Sequence, residues 1–257
     1  MKIIVESKIP FIKGVLEPFG DVEYLAPGEI TAAAVADADA LFVRTRTRCD
    51  ASLLEHSSVK FIATATIGTD HIDLPWCESR GITVANAPGC NAPAVAQYVI
   101  SSILYTLSPE EKPENLTVGI VGVGHVGRIV EQWTRGMGLK VMLCDPPRAV
   151  AEGPEKFVSL SEIAEKCDVI TFHTPLTKSG EYPTFHLADS DFFESCRRFP
   201  LVINSARGSV TDTKAMIAAV DRKLIKKPVI DCWENEPEIS IDLLDKAIIA
   251  TPHIAGY

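Results

Sequence analysis

The stretch TVGIVGVGHVGRIVEQW, Thr117 to Trp133, restricts the possible folds of this chain more than any other segment. An apolar, β-branched run gives way to Gly122-x-Gly124-x-x-Gly127, and then to a segment of helical pattern. In a strand–turn–helix unit Gly122 permits the tight turn, Gly124 lets backbone approach a pyrophosphate, and Gly127 lets the helix lie close on the strand. His125 and Val126 open that helix, whose first amides face the phosphates. A second strand, KVMLC, ends in Asp145, close to the offset of about 20 residues at which a carboxylate accepts from a ribose 2′-hydroxyl. The same carboxylate repels a 2′-phosphate, so NAD is expected in preference to NADP. Pro146 and Pro147 supply no cation to reverse that preference, and Arg148 is the nearest one.

The rhythm of this unit runs through the chain. KIIV, VEYL, ALFV and KFIATAT precede it, and DVITF, LVINS, PVIDC and AIIAT follow KVMLC, with helix-like segments between them. Such alternation predicts βαβ units and parallel sheets. Apolar runs without strict alternation fit strands covered on both faces. The expected fold class is α/β, with two doubly wound parallel-sheet domains. The first four strands stop near Asn86-Ala-Pro-Gly, and AVAQYVISSILYTL then reads as a long, mostly buried helix. The boundary is placed near Pro88, giving domains over 1–88 and 89–257 with that helix packed between them.

Composition excludes several classes of function. The net charge of −9 is spread along the chain without a basic block, so nucleic acid is not an expected partner. No apolar run approaches the ~20 residues of a membrane span, and the N-terminus lacks a signal-peptide pattern. Seven widely spaced cysteines without a CxxC pair point to reduced thiols, a cytoplasmic location and no metal centre.

Three polar residues fall at the carboxyl ends of later expected strands, where open α/β sheets bind ligands: Arg207, Glu236 and His253. Histidine suits proton transfer near neutrality. A carboxylate on its imidazole fixes the tautomer, and an arginine fork holds a substrate carboxylate while polarising the adjacent carbonyl. Singly, Arg207 reads as a turn residue, Glu236 as a helix-start charge and His253 as a partly buried histidine; their shared placement favours chemistry. VRTRTRCD adds Arg44, Arg46 and Arg48, which share one face if extended and read either as an anion-binding strip, with Arg44 preferred, or as a solvated edge. His173 is expected to line the cofactor cleft, and His56, His71 and His186 to be structural.

GVGHVG, NSARG, ENEP and PHIAG, in that order, resemble the D-2-hydroxyacid dehydrogenase superfamily. TATIGTDHID, NAPGCNAPAVAQYV, CDPPRA and TFHTPLTKSGEYPTFHLAD extend the resemblance over most of the chain, toward a branch acting on a small phosphorylated hydroxy acid in pyridoxal phosphate synthesis. The resemblance implies a flavodoxin-like substrate domain followed by a Rossmann NAD-binding domain, and oxidation of a C2 hydroxyl with hydride passing to NAD. It implies that Arg207 orients the substrate carboxylate, Glu236 supports His253, and His253 moves the proton. It also places Thr45, Thr66 and Tyr257 near substrate, and Thr174, Ala206, Asp231 and Gly256 near the dinucleotide. Other substrates, such as 3-phosphoglycerate, and a non-catalytic NAD(H)-binding role stay open. Family members continue past HIAGY into a returning helix and a dimerisation domain; their absence reads as a truncation, and a homodimer is expected of the full-length family only.

Overall fold

The computed structural model describes residues 1–108 and 110–256. The chain divides into two compact units, Met1–Cys90 and Asn91–Tyr257. In the first, β1 (Lys2–Glu6), β2 (Asp21–Leu25), β3 (Ala40–Val43), β4 (Phe61–Thr64) and β5 (Thr83–Ala85) form a parallel sheet in the order β2-β1-β3-β4-β5. Ile4, Leu41 and Ile62 point to one face, onto α1 (Ala32–Val35), α2 (Ala51–Leu54) and α3 (Leu74–Ser79). Ile3, Val5 and Ala40 pack on the other, with Leu16, Phe42 and Phe61. Successive residues of β1 are therefore buried on opposite faces, which is why KIIV shows no polar alternation. Strand β5 is absent from the expected series: it has three residues at the sheet edge, and Thr83 is exposed, so no apolar run marks it.

The second unit begins with α4 (Ala92–Thr106), the expected long helix. It buries a stripe of Ala92, Val95, Ala96, Val99, Ser102 and Ile103 against the core but leaves Leu104 and Tyr105 exposed, so it covers one face rather than being enclosed. There follow β6 (Thr117–Val121), α5 (His125–Gly136), β7 (Lys140–Cys144), α6 (Pro146–Glu152), α7 (Leu160–Lys166), β8 (Val169–Phe172), α8 (Ser190–Glu194), β9 (Leu201–Asn204), α9 (Thr213–Asp221), β10 (Val229–Ile230), α10 (Ile241–Lys246) and β11 (Ile249–Ala250). All six strands are parallel, in the order β11-β10-β9-β8-β6-β7. One face is closed by α4 and α5 over Val118, Ile120 and Ile203, the other by α7, α8 and α9 over Val121, Ile170 and Val202. The chain runs from β6 outward to β7 and then back across to β8. The resulting switch point lies between β6 and β8, where ligands bind in open sheets of this kind. Among the described residues no helix is long and apolar enough to cross a membrane.

Candidate active site

The glycine turn sits at this switch point. Gly122 has φ +87°, and a Cβ there would fall 2.8 Å from the Thr174 amide and the His173 carbonyl carbon. A Cβ on Gly127 would fall 2.2 Å from Gly122 O, whereas one on Gly124 would meet nothing within 4 Å. Only Gly124 thus borders open space, as close approach of a phosphate to backbone requires. No side chain caps α5, so the first amides of the helix, from His125 and Val126 on, keep their donor capacity. The buried hydroxyls of Thr174 and Ser205, just beyond β8 and β9, have no hydrogen-bond partner among the described residues. Uncapped amides, an open glycine and orphaned hydroxyls at one sheet edge fit a dinucleotide. Ala206 is buried beside Ser205, and its amide is held by Asn204 Oδ1 at 3.1 Å.

Asp145 ends β7 with both carboxylate oxygens engaged. Oδ2 accepts from the Val123 amide at 2.7 Å, and Oδ1 caps α6 through the Arg148 amide at 3.1 Å. Each oxygen retains a further lone pair. Arg148 donates through Nε and Nη2 to the two oxygens of Glu152, both at 2.7 Å, and through Nη1 to Val123 O at 2.7 Å. Its charge is therefore tied down by a bidentate partner. His173 lies against the turn, its amide on Val121 O, and burial pushes its imidazole down to about 3, so the ring is neutral.

Arg207, Glu236 and His253 follow the adjacent strands β9, β10 and β11. Buried Asn204 shapes the first turn: its Nδ2 donates to Arg207 O at 3.0 Å and to Thr211 Oγ1 at 3.2 Å. A Cβ on Gly208 would fall 1.9 Å from Trp233 O, so the Arg207–Gly208 backbone lies directly on the strand-end peptide that leads to Glu236. Glu236 Oε1 accepts from the Trp233 amide at 2.6 Å, and Oε2 lies 2.9 Å from His253 Nδ1. Burial alone would raise Glu236, but its hydrogen bonds to His253 and Trp233, with the charge of Arg207, bring it below the usual carboxylate range. The hydrogen bond to Glu236 lifts His253 above its ordinary value, against burial and the Arg207 charge. His253 has φ +55°, a left-handed conformation that needs support. Asp231, 1% exposed, supplies it: Oδ1 accepts from Thr251 Oγ1 at 2.6 Å and Ile254 N at 2.8 Å, and Oδ2 from Ala255 N at 3.0 Å. The sequence marked Asp231 only as a neighbour of the dinucleotide and did not mark Asn204; a buried polar residue ending an apolar strand was the available signal for both.

A Cβ on Gly256 would meet Asn91 Nδ2 at 2.3 Å, which places this glycine at the start of α4. Tyr257 lies outside the described residues. In the first unit, Arg44 and Thr45 follow β3, next to β1 at that sheet's own switch point. The segment is not extended, so Arg44, Arg46 and Arg48 do not share one strand face: strand β3 stops at Val43, and the chain turns with Thr47 N on Arg44 O. Buried Glu6 causes the turn by accepting from Arg44 N at 2.8 Å and Thr47 Oγ1 at 3.0 Å. Arg44 Nη1 donates to Lys8 O at 3.0 Å, while Arg48 turns away to Asp50 at 2.7 Å. Thr66 donates to Gly68 O at 2.9 Å and meets Thr64, which contacts His71.

A glycine turn at a parallel-sheet switch point, with a histidine–carboxylate pair and an arginine at neighbouring strand ends, defines an NAD-dependent dehydrogenase. Residues 104–255 match the family described as D-isomer specific 2-hydroxyacid dehydrogenase, NAD binding domain, and the chain belongs to that family. Over its whole length it is 54% identical to the erythronate-4-phosphate dehydrogenase of Bacteroides thetaiotaomicron, spanning 74% of that protein. It is 43% identical to the protein of the same name from Escherichia coli, spanning 68% of it. Among solved structures, the D-lactate dehydrogenase of Aquifex aeolicus, complexed with NAD and lactic acid, superposes with a TM-score of 0.81 at 24% identity, covering 99% of this chain and 89% of that one.

Proposed function

We propose that the chain oxidises the C2 hydroxyl of 4-phospho-D-erythronate to the 2-oxo acid, a step of pyridoxal phosphate synthesis in the cytoplasm. The observation that carries the chemistry is the His253–Glu236 pair at 2.9 Å beside Arg207; identity with relatives of that name along the whole chain supports the substrate. With Nδ1 held by Glu236, His253 presents Nε2 to the hydroxyl proton. Arg207 binds the substrate carboxylate and stabilises charge developing on the C2 oxygen. Bound NAD supplies the hydride acceptor. The NAD-binding role falls to the domain over 89–257, its pyrophosphate on Gly122, Gly124, His125, Val126 and Gly127, with Thr174, Ala206, Asp231 and Gly256 near the dinucleotide. The substrate role falls to 1–88, where Arg44, Thr45 and Thr66 are the substrate-binding candidates, Arg44 being preferred for the phosphate; Tyr257 is the remaining candidate, and a homodimer is the state proposed for the full-length family. The test is NADH formation with 4-phosphoerythronate, 3-phosphoglycerate and D-lactate in parallel. Turnover of either of the last two in preference to the first overturns the substrate.

Two further results are expected. Oxidation requires neutral His253, so the rate rises with pH through the His253 pKa. Glu236→Gln removes the carboxylate that raises this pKa, so the rising limb of the kcat/KM profile moves to lower pH while the plateau falls. For the cofactor, Asp145→Ser raises kcat/KM with NADP relative to NAD by about tenfold or more, since removing one repulsive charge is worth at least ~1.4 kcal/mol at short range. Adding Glu152→Gln, which releases Arg148, raises it further.

A further inference from the structure

His186 lies outside the machinery described so far, yet its ring meets two carboxylates. Nε2 is 2.6 Å from Glu234 Oε1, and Nδ1 is 3.3 Å from Asp212 Oδ2. The Nε2 contact is a hydrogen bond, and Nδ1 faces Asp212 at ion-pair distance. Its orientation is fixed from other directions too. The ring stacks on Phe185 at 3.9 Å and 18°, Lys178 sits over that Phe185 ring at 5.2 Å, and the His186 amide donates to Ser209 O at 2.7 Å.

Each carboxylate is anchored in turn. Asp212 Oδ1 caps α9 through the Lys214 and Ala215 amides, at 2.8 and 3.0 Å. Glu234 Oε2 accepts from the Thr213 amide at 3.3 Å. His186 therefore crosses from the start of α9 to the turn after β10. That turn holds the proposed catalytic groups on either side: Gly208 is pressed on Trp233 O and Glu234 N, and the Trp233 amide holds Glu236 Oε1.

We propose that His186 is a positioning residue: gripped between Asp212 and Glu234, it fixes the 233–234 peptide against Gly208 and so sets both Arg207 and the Glu236 carboxylate that holds His253. This rests on the roles given above to Arg207, Glu236 and His253. Among the described residues, the charged groups around His186 are Asp212 and Glu234, with Lys178 beyond Phe185.

The test compares wild type with His186→Gln and Glu234→Gln, following the His253 imidazole by NMR through its titration together with steady-state kinetics. In both variants the His253 pKa is expected to fall toward its ordinary value, and kcat to drop about 10- to 100-fold, the scale of an ångström-level misplacement, with KM for NAD unchanged. If His186→Gln does not fold, Glu234→Gln, nearly equal in volume, carries the test. Variants that lose thermal stability alone, with the His253 titration and kcat of wild type, overturn the proposal. The titration needs no substrate, so a failure of 4-phosphoerythronate turnover with a shifted His253 pKa would overturn the substrate and leave this role standing.

Discussion

Replacing His253 with glutamine is expected to lower kcat for hydroxy-acid oxidation by about 10²- to 10⁴-fold, the usual worth of a positioned general base, with the NAD dissociation constant unchanged. The reason is geometric. Glu236 engages Nδ1 at 2.9 Å, which leaves Nε2 as the proton acceptor. Glutamine fills much of the same space and can hydrogen-bond Glu236, but it takes up no proton near neutrality. Steady-state rates with NADH detection, beside NAD titration by fluorescence, separate the two effects. Weaker NAD binding with an unchanged rate at saturation would place His253 in the cofactor site instead. The pH dependence gives an independent check, because the limb governed by His253 disappears from the variant profile.

Asp231→Ala is expected to destabilise the chain by about 3–5 kcal/mol and to abolish turnover as well. The side chain is 1% exposed and accepts from Thr251 Oγ1, Ile254 N and Ala255 N. Hydrogen bonds to a charged group are worth about 1.5–3 kcal/mol each, with incomplete additivity. Removing the acceptor frees the segment that keeps His253 at φ +55°, so the base loses its place even in molecules that stay folded. Urea unfolding gives the first quantity and kcat under native conditions the second. A variant of normal stability and low activity would show that the carboxylate serves the cofactor more than the loop.

What the sequence made legible was local. Gly122, Gly124 and Gly127 sit within one turn, and each apolar strand is a contiguous run, so short windows contain the full signal. Arg207, Glu236 and His253 were singled out because each follows such a run. The parts that escaped depend on distant partners. Nothing near Asp231 shows that it will hold amides more than twenty residues later, and nothing in VRTRTRCD shows that buried Glu6 will bend it into a turn. Strand β5 escaped for a different reason: three residues on an edge, one exposed and two half-buried, carry too little apolar pattern to register. His186 read as a structural histidine because its two carboxylates lie 26 residues or more along the chain.

Strands β10 and β11 are only two residues long, and β11 forms the outer edge of its sheet. The groups proposed for proton transfer hang from the thinnest part of the ladder, while the glycine turn is rooted in its interior. Local opening draws on few hydrogen bonds there and many at β6 and β8. Gentle warming should therefore silence the chemistry while the dinucleotide still binds, and amide hydrogen exchange should show the His253 segment opening in a unit of its own.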